Sequence, residues 1–415
     1  MLVHWIWFAT RNNLSDRLKA NLLEHFRDAE DIYYAEADAC RIVEGISPEG
    51  FASLQDKNLT SAKAIIRQCD EKNIRILTFR DAAYPARLRN IVDPPMVLYY
   101  KGHLPEFDSL PLIAVVGTRK ATPYGLTTAK RMGYQIAACG GIVVSGMAYG
   151  IDGMAMKGAL TAGAPVIGVL GCGVDVVYPQ SNRSLFADVE SHGCLLSEFA
   201  PGTEPFKWNF PKRNRLISGL SCGVLVIEAP EGSGALITAR QAAEQGRDVF
   251  AVPGNIDMPT CAGSNALLRD GAIMASSGWD VLSEYEAQFP DKIFNRCKPG
   301  QQIAYPDEIE KAAAEAEKPL PKVAQKPKLF VSRKEKTKKE IDKGQSLHYI
   351  DAKTSRPPLS ADEQTILSQV EAGKTLVDDI MASTQLSAGA VLASLTMLEV
   401  KGLITRLPGK RVALK

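Results

Sequence analysis

The spacing of apolar residues along the chain changes character three times. Within residues 1–75, Asp16–Phe26, Ala29–Tyr34 and Ser61–Glu71 repeat apolar positions every three or four residues, with Gly45, Pro48 and Gly50 as interruptions. That period is helical, so this stretch predicts a small helical, SAM-like domain. Ile74, Ile76 and Leu77, then Tyr84-Pro85, Pro94-Pro95 and Val97–Tyr100, predict extended chain leading into the next region.

From Leu112 to Leu282 short apolar runs alternate with helical stretches. The runs are Leu112–Val116, Gly141–Ser145, Pro165–Leu170, Cys194–Glu198, Gly223–Glu228 and Asp248–Val252. Strands buried on both faces read as continuous apolar runs, and their alternation with helices predicts a parallel sheet covered on both sides. The fold class is therefore α/β: an extended Rossmann-like, doubly wound core over residues 76–288, with the helical domain before it.

Residues 289–357 turn to Lys, Ala, Glu and Pro, including the run Lys334–Glu340, and predict a flexible linker. A solvated spacer is the favoured reading of that basic run; nucleic-acid contact is the alternative. Helical spacing returns over 358–415. Ser360 with Glu363 makes a capping box, Thr375 can cap a second helix, and Ser387 opens a third that Gly402 stops. Leu403–Leu407, Pro408-Gly409 and Lys410–Leu414 then read as a β-hairpin, completing a winged-helix pattern. Its third helix would expose Ser394, Thr396 and Lys401, and its hairpin Arg406, Lys410 and Arg411. A duplex reader normally carries basic and amide side chains on that helix. Protein contact and weak wing-to-backbone contact stand beside sequence reading as its candidate roles.

The charge balance narrows the partners. Across 415 residues, 49 Lys and Arg stand against 47 Asp and Glu, a net charge of +2, so binding of a polyanion has to come from local clusters. No stretch approaches the roughly twenty apolar residues of a membrane span, and Met1–Ala9 lacks a basic leader, so a cytoplasmic protein is expected. The eight cysteines stand singly with no C-x-x-C pair, which predicts reduced core thiols and no structural zinc. No cofactor or metal is expected.

In open parallel sheets, ligands bind at the carboxyl ends of the strands. There Gly117-Thr118-Arg119-Lys120 follows the first strand, and Thr122-Pro123 can cap the next helix. Cations at a helix N-terminus oppose its dipole. An anionic ligand would relieve that conflict; so would a nearby carboxylate. Phe210-Pro211-Lys212-Arg213-Asn214-Arg215 places a second cationic group in a helical first turn. Arg213 and Arg215, two apart, point to different faces, so one is expected on a ligand and the other on the fold. Ser145-Gly146 with Gly150, Gly171-Cys172-Gly173, and Gly232-Ser233-Gly234 before Thr238 supply glycine-rich loops that a phosphate can approach.

Enzyme templates fail. Gly171-Cys172-Gly173 runs on to Val176 where the dinucleotide fingerprint needs glycine, and Gly373-Lys374-Thr375 has Ser368 where a P-loop needs one. H-E-x-x-H and G-x-S-x-G are absent. Phosphate sites without chemistry point to a bound polyanion, and single-stranded nucleic acid fits. Tyr124, Tyr149, Tyr178, Trp208 and Phe210 stand in or beside the loops; core packing is the competing explanation for each.

Taken together, Gly117-Thr118-Arg119, Ser145–Asp152, Gly171–Asp175 with Tyr178-Pro179 and Asn182, Phe210–Arg215, Ser233-Gly234 with Thr238-Ala239, and Val252-Pro253-Gly254 resemble the DNA-processing protein A family, DprA or Smf, over residues 80–285. The resemblance implies a non-enzymatic cytoplasmic protein of natural transformation. Such a protein binds incoming single-stranded DNA, protects it, loads RecA against single-strand-binding protein, and forms homodimers. It also implies Arg119 as the leading phosphate ligand, with Lys212, Arg213 and Arg215 in a second motif and Asn182 and Arg183 in a third. Two positions depart from the family. Met156 stands where many members have histidine, and Gln180 where many have lysine, a role Arg183 can substitute. A nucleotide-binding Rossmann enzyme of the phosphoribohydrolase type is the alternative, although Glu231 precedes the glycines that its catalytic glutamate should follow. A scaffold with a vestigial DNA site is a third reading. Ala266, Leu267 and Leu268 could form a dimer patch or simply belong to the core.

Overall fold

The computed structural model describes residues 1–294, 359–371, 376–384, 386, 388–401, 403–407 and 411–414. The expected 289–357 linker lies outside the described residues apart from its first six, of which Phe289 and Ile293 are buried. The chain divides into two units, residues 1–322 and 323–415.

The first unit opens with five helices: α1 (Leu2–Ala9), α2 (Asp16–His25), α3 (Ala29–Tyr34), α4 (Pro48–Gln55) and α5 (Thr60–Glu71). Ser15, Asp28 and Ser47 cap α2, α3 and α4 by accepting from first-turn N–H groups. Pro48 opens α4 rather than interrupting a helix, because its missing N–H costs nothing at the first position. Ile6, Trp7 and Phe8 are fully buried and belong to one apolar cluster that runs on into the sheet.

The sheet has nine strands: β1 (Arg75–Thr78), β2 (Val97–Gly102), β3 (Leu112–Val116), β4 (Ile142–Ser145), β5 (Val166–Val169), β6 (Cys194–Ser197), β7 (Gly223–Val226), β8 (Asp248–Ala251) and β9 (Ile273–Met274). Their order is β1-β2-β6-β5-β4-β3-β7-β8-β9; β2 runs antiparallel to both its neighbours, β1 and β6, and every other pairing is parallel. Helices α6 (Ala86–Arg89), α7 (Pro123–Ala138), α8 (Ile151–Thr161), α9 (Arg183–His192), α10 (Asn209–Leu220), α11 (Gly234–Glu244), α12 (Ala262–Arg269) and α13 (Gly278–Leu282) connect and flank them. All residues of β3 through β7 are buried, as a sheet covered on both faces requires. The doubly wound α/β core therefore stands as expected.

Helices α7 and α8 touch backbone to backbone. A Cβ at Gly133 would lie 2.0 Å from Ala155 O, and one at Gly158 2.0 Å from Lys130 O. Next to this seam Met156, the departure from the family histidine, is fully buried.

The second unit holds α14 (Ala361–Glu371), α15 (Val377–Ser383), α16 (Ala388–Val400) and the hairpin of β10 (Ile404–Leu407) and β11 (Arg411–Leu414). Ile366, Ile380, Val391, Leu395, Leu398, Ile404 and Val412 form its core. The capping box is present: Glu363 N–H donates to Ser360 Oγ at 3.2 Å, and Ser360 N–H to Glu363 Oε2 at 2.7 Å. Lys401 Nζ also donates to Glu363 Oε2, at 2.6 Å. Ser394, expected on the exposed face, is 8% exposed because it lies on the side of α16 that packs inward. Thr375, Ser387, Gly402, Pro408-Gly409, Lys410 and the side chain of Arg406 lie outside the described residues.

Candidate functional site

The order of the strands reverses at β3, which has β4 on one side and β7 on the other. At their carboxyl ends, where such a reversal leaves a crevice, a cleft of about 630 Å³ opens. Gly117, Thr118, Arg119, Arg213, Asn214, Ser233, Gly234 and Thr238 line it, together with Asp152, Tyr178, Lys207 and Phe210. The structure thus gathers residues from five separate segments of the chain.

Arg119 is exposed, and its guanidinium carbon stands 5.1 Å from the centre of the Phe210 ring. The Tyr178 ring also packs on Phe210, its centre 5.5 Å away. Phe210 can sit so low because Gly171 has no side chain; a Cβ there would be 2.8 Å from Phe210 Cδ1. A cation resting on a ring at a half-open site keeps its N–H groups available while losing little water. Phe210 therefore organises the cleft, a role its place before Pro211-Lys212-Arg213 hinted at without specifying.

The N-terminus of α7 is already occupied. Glu228, fully buried at the end of β7, accepts from Thr122 N–H at 3.0 Å and Thr122 Oγ1 at 3.2 Å. Of the two ways to relieve the dipole conflict, the carboxylate is the one the fold uses. Arg119 is left pointing over Phe210, and Lys120 is exposed without lining the cleft. The α11 N-terminus differs. Ser233 caps it by accepting from Ala235 N–H, and a Cβ at Gly234 would meet nothing within 4 Å, so the backbone lies bare to the cleft. Asn214 Nδ2 donates to Gly234 O at 3.4 Å, tying α10 to this turn, and Thr238 Oγ1 donates to Gly234 O at 3.5 Å.

Both arginines of the second motif are buried, at 4% and 8% exposure; Arg213 is the one that lines the cleft. Arg213 Nη1 donates to Gly146 O at 2.8 Å and to Val169 O, so it holds the ends of β4 and β5 together under the cleft floor. Burial pushes its pKa down to about 10, against the opposing pull of neighbouring Asp152. Asp152 is pushed above the ordinary carboxylate range by burial, with Arg213 and the N–H groups of Ala148 and Gly146 pulling the other way. Arg215 and Lys212 turn to a different face. Arg215 Nη2 donates to Glu198 Oε2 at 2.6 Å and Asp16 Oδ2 at 3.0 Å, and Lys212 Nζ lies 3.5 and 3.6 Å from the same two oxygens.

The remaining expected residues serve the fold around the cleft. Ser145 Oγ donates to Val115 O at 2.6 Å; Asn182 Nδ2 donates to Met147 O and Ala148 O at 3.0 and 3.2 Å. Arg183 is exposed outside the cleft and donates to Gln180 Oε1 at 3.1 Å, so the two side chains at the second family departure hold each other. Gly146 and Gly173 are small to admit protein rather than phosphate: a Cβ would meet Arg213 Nη1 at 2.4 Å and Asp175 Oδ1 at 2.6 Å. Met147, between them, is buried at φ 59°, a costly left-handed conformation for a methionine. Among the described residues, no group of three His, Cys, Asp or Glu could hold a metal ion, and no disulfide joins the described cysteines. No described helix is long and apolar enough to cross a membrane.

Comparison with known proteins agrees with this geometry. The sequence profile of DNA recombination-mediator protein A matches residues 75–286, and that of the DprA winged helix domain matches residues 351–410. Protein Smf of Synechocystis is 33% identical over 422 residues, covering 98% of this chain and 97% of that protein. The DNA processing protein DprA of Bacillus subtilis is 42% identical over 214 residues, covering 52% of this chain and 72% of that protein. The X-ray structure of DNA processing protein A from Streptococcus pneumoniae superposes with a TM-score of 0.61 at 33% identity, over 68% of this chain and 98% of that one. A cleft at the sheet's reversal point, a winged-helix profile behind it and a full-length relative converge on one conclusion: the chain belongs to the DprA/Smf family of DNA processing proteins.

Proposed function

We propose that the protein binds single-stranded DNA in the β3/β7 cleft and acts as a recombination mediator that protects incoming DNA and loads RecA during natural transformation, in the cytoplasm and as a homodimer. The observation that carries the DNA reading is the exposed Arg119 guanidinium standing over Phe210 beside the bare turn at Gly234. A cation, an aromatic face and the backbone N–H of Gly234 are the three contacts a single strand needs, one for phosphate charge, one for a base, one for a phosphate oxygen. Binding rather than chemistry suits the carboxylates nearby. Asp152 accepts from Gly146 N–H at 3.2 Å, and Glu228 caps α7, so both are committed to the fold. The family supports RecA loading and dimerisation. Edge strand β9, with Ile273 and Met274 at 37% and 62% exposure, offers apolar surface for a second copy.

The test is fluorescence anisotropy of labelled single strands and matched duplexes over a salt series, with wild type and Arg119→Ala. The expected result is preferential, salt-sensitive single-strand binding without base preference, weakened by the substitution. Equal affinity for duplex, or an Arg119→Ala protein with unchanged affinity and salt slope, overturns the site. Release of base from a nucleoside monophosphate would establish the phosphoribohydrolase reading instead. RecA filament growth on strands covered by single-strand-binding protein, with and without this protein, tests the loading step.

A further inference from the structure

The four residues 205–208 alternate. Pro205 and Lys207 line the cleft, whereas Phe206 and Trp208 turn away from it and stack on each other, ring centres 4.8 Å apart and planes within 6° of parallel. Both are exposed, Phe206 at 42% and Trp208 at 71%. Two large apolar rings held in water are costly, yet this loop is not slack. Phe206 N–H donates to Glu204 O at 2.9 Å and Asn209 N–H to Phe206 O at 3.0 Å, and Asn209 is itself buried at the start of α10. The backbone thus fixes a parallel aromatic pair at the rim of the cleft, with the outer face of the stack open.

We propose that Phe206 and Trp208 form a base-stacking platform that extends the path of a single strand beyond the cleft. This rests on the reading of the cleft as a single-strand site. Charge and continuity select the occupant. Lys207, between the two rings in sequence, lines the cleft that also holds Arg119. A strand whose phosphate meets Lys207 carries its next base over the rim, where a ring fixed parallel to a second ring presents a ready face for it. Stacking of this kind does not read sequence, since every base has a π-face. It adds affinity for bases to a cleft that otherwise grips phosphate. Fixing the rings against each other before binding also removes most of the side-chain entropy that stacking would otherwise cost.

The test compares full-length protein with an oligothymidylate and an abasic oligomer of equal length, which share phosphates and differ in bases. Of the 4 tryptophans, Trp5 and Trp7 are buried at 7% and 0% exposure and Trp279 is half-buried against the core, so quenching by a stacked base reports chiefly on Trp208, the most exposed of them. The expected result is quenching by the oligothymidylate and none by the abasic strand. Trp208→Ala should weaken oligothymidylate binding about tenfold and leave abasic binding unchanged, and Trp208→Phe should restore most of the loss. Equal affinity for the two oligomers, or Trp208→Ala binding the oligothymidylate like wild type, overturns the platform while leaving the cleft intact, and marks the pair as a protein-docking surface. Failure of wild type to bind either oligomer overturns the cleft reading and the platform with it.

Discussion

Thr122 and Glu228, 106 residues apart, meet at the first turn of α7, where the Glu228 carboxylate accepts both the backbone N–H and the hydroxyl of Thr122. The contact leaves no room beside it, since a Cβ at Gly125 would stand 1.8 Å from Glu228 Oε2. Replacing a helical glycine by alanine ordinarily stabilises by about 1 kcal/mol. Here Gly125→Ala should do the reverse, costing about 1–3 kcal/mol as the buried carboxylate is displaced. Urea denaturation measures it, with Gly234→Ala, whose Cβ meets nothing within 4 Å, as a near-neutral control. A stabilised Gly125→Ala protein would mean that Glu228 moves aside freely.

Arg119 and Arg213 share the cleft and differ in what they hold, and this separates their variants. Arg119 is exposed, so Arg119→Ala should change stability by less than about 0.5 kcal/mol. It should also reduce the salt slope of single-strand binding by about 0.7, the value of one phosphate contact. Arg213→Ala removes the donor from Gly146 O and Val169 O, so it should cost about 2–4 kcal/mol. Thermal denaturation beside anisotropy tells the two apart. An Arg213→Ala protein of wild-type stability would return Arg213 to the list of direct ligands.

Arg215 and Lys212 share the same carboxylates at very different depth. Arg215→Ala leaves Asp16 and Glu198 buried with diminished compensation, for an expected loss of about 3 kcal/mol or more. Lys212 has its side chain 51% exposed, so Lys212→Ala should cost less than about 1 kcal/mol. Comparable losses from the two substitutions would show that Lys212 carries as much of this contact as Arg215.

The parallel strands were legible because a strand buried on both faces is written as an unbroken apolar run, and β3 matches Leu112–Val116 residue for residue. Helix α1 was not legible, since five of its eight residues are buried, and a helix apolar nearly all round shows no period. Strand β9 is two residues long and offers no run at all. At the site, spacing placed Arg213 and Arg215 on different faces. It could not tell that the partners waiting on both faces were internal, because Gly146, Val169, Asp16 and Glu198 come from four distant segments. The same distance hid the capping role of Glu228. The glycines were visible as glycines, but only the folded chain distinguishes Gly171, which admits Phe210, from Gly234, which admits solvent.

The loop that follows β5 is tied to the helical start of the chain through Asp175, and this tie should be visible in pH. Lys72 Nζ donates to Asp175 Oδ2 at 2.5 Å, and Gly202 N–H lies 2.9 and 3.1 Å from its two oxygens. Burial alone would raise the Asp175 pKa, but Lys72 and the Gly202 N–H outweigh it and hold the carboxyl below its ordinary value. A group with a depressed folded pKa stabilises the fold above its unfolded value, about 3.9 for aspartate, and that stabilisation fades as pH falls below it. Asp175→Asn should therefore cost about 1–2 kcal/mol at pH 7, and the gap to wild type should close as the pH is lowered from about 5 toward 3. Urea denaturation across that range reads the gap directly. Adding Lys72→Met to Asp175→Asn should cost less than Lys72→Met alone, since the ion pair is already gone. A gap that stays constant with pH would show that Asp175 acts through its hydrogen bonds to Gly202, independently of its charge.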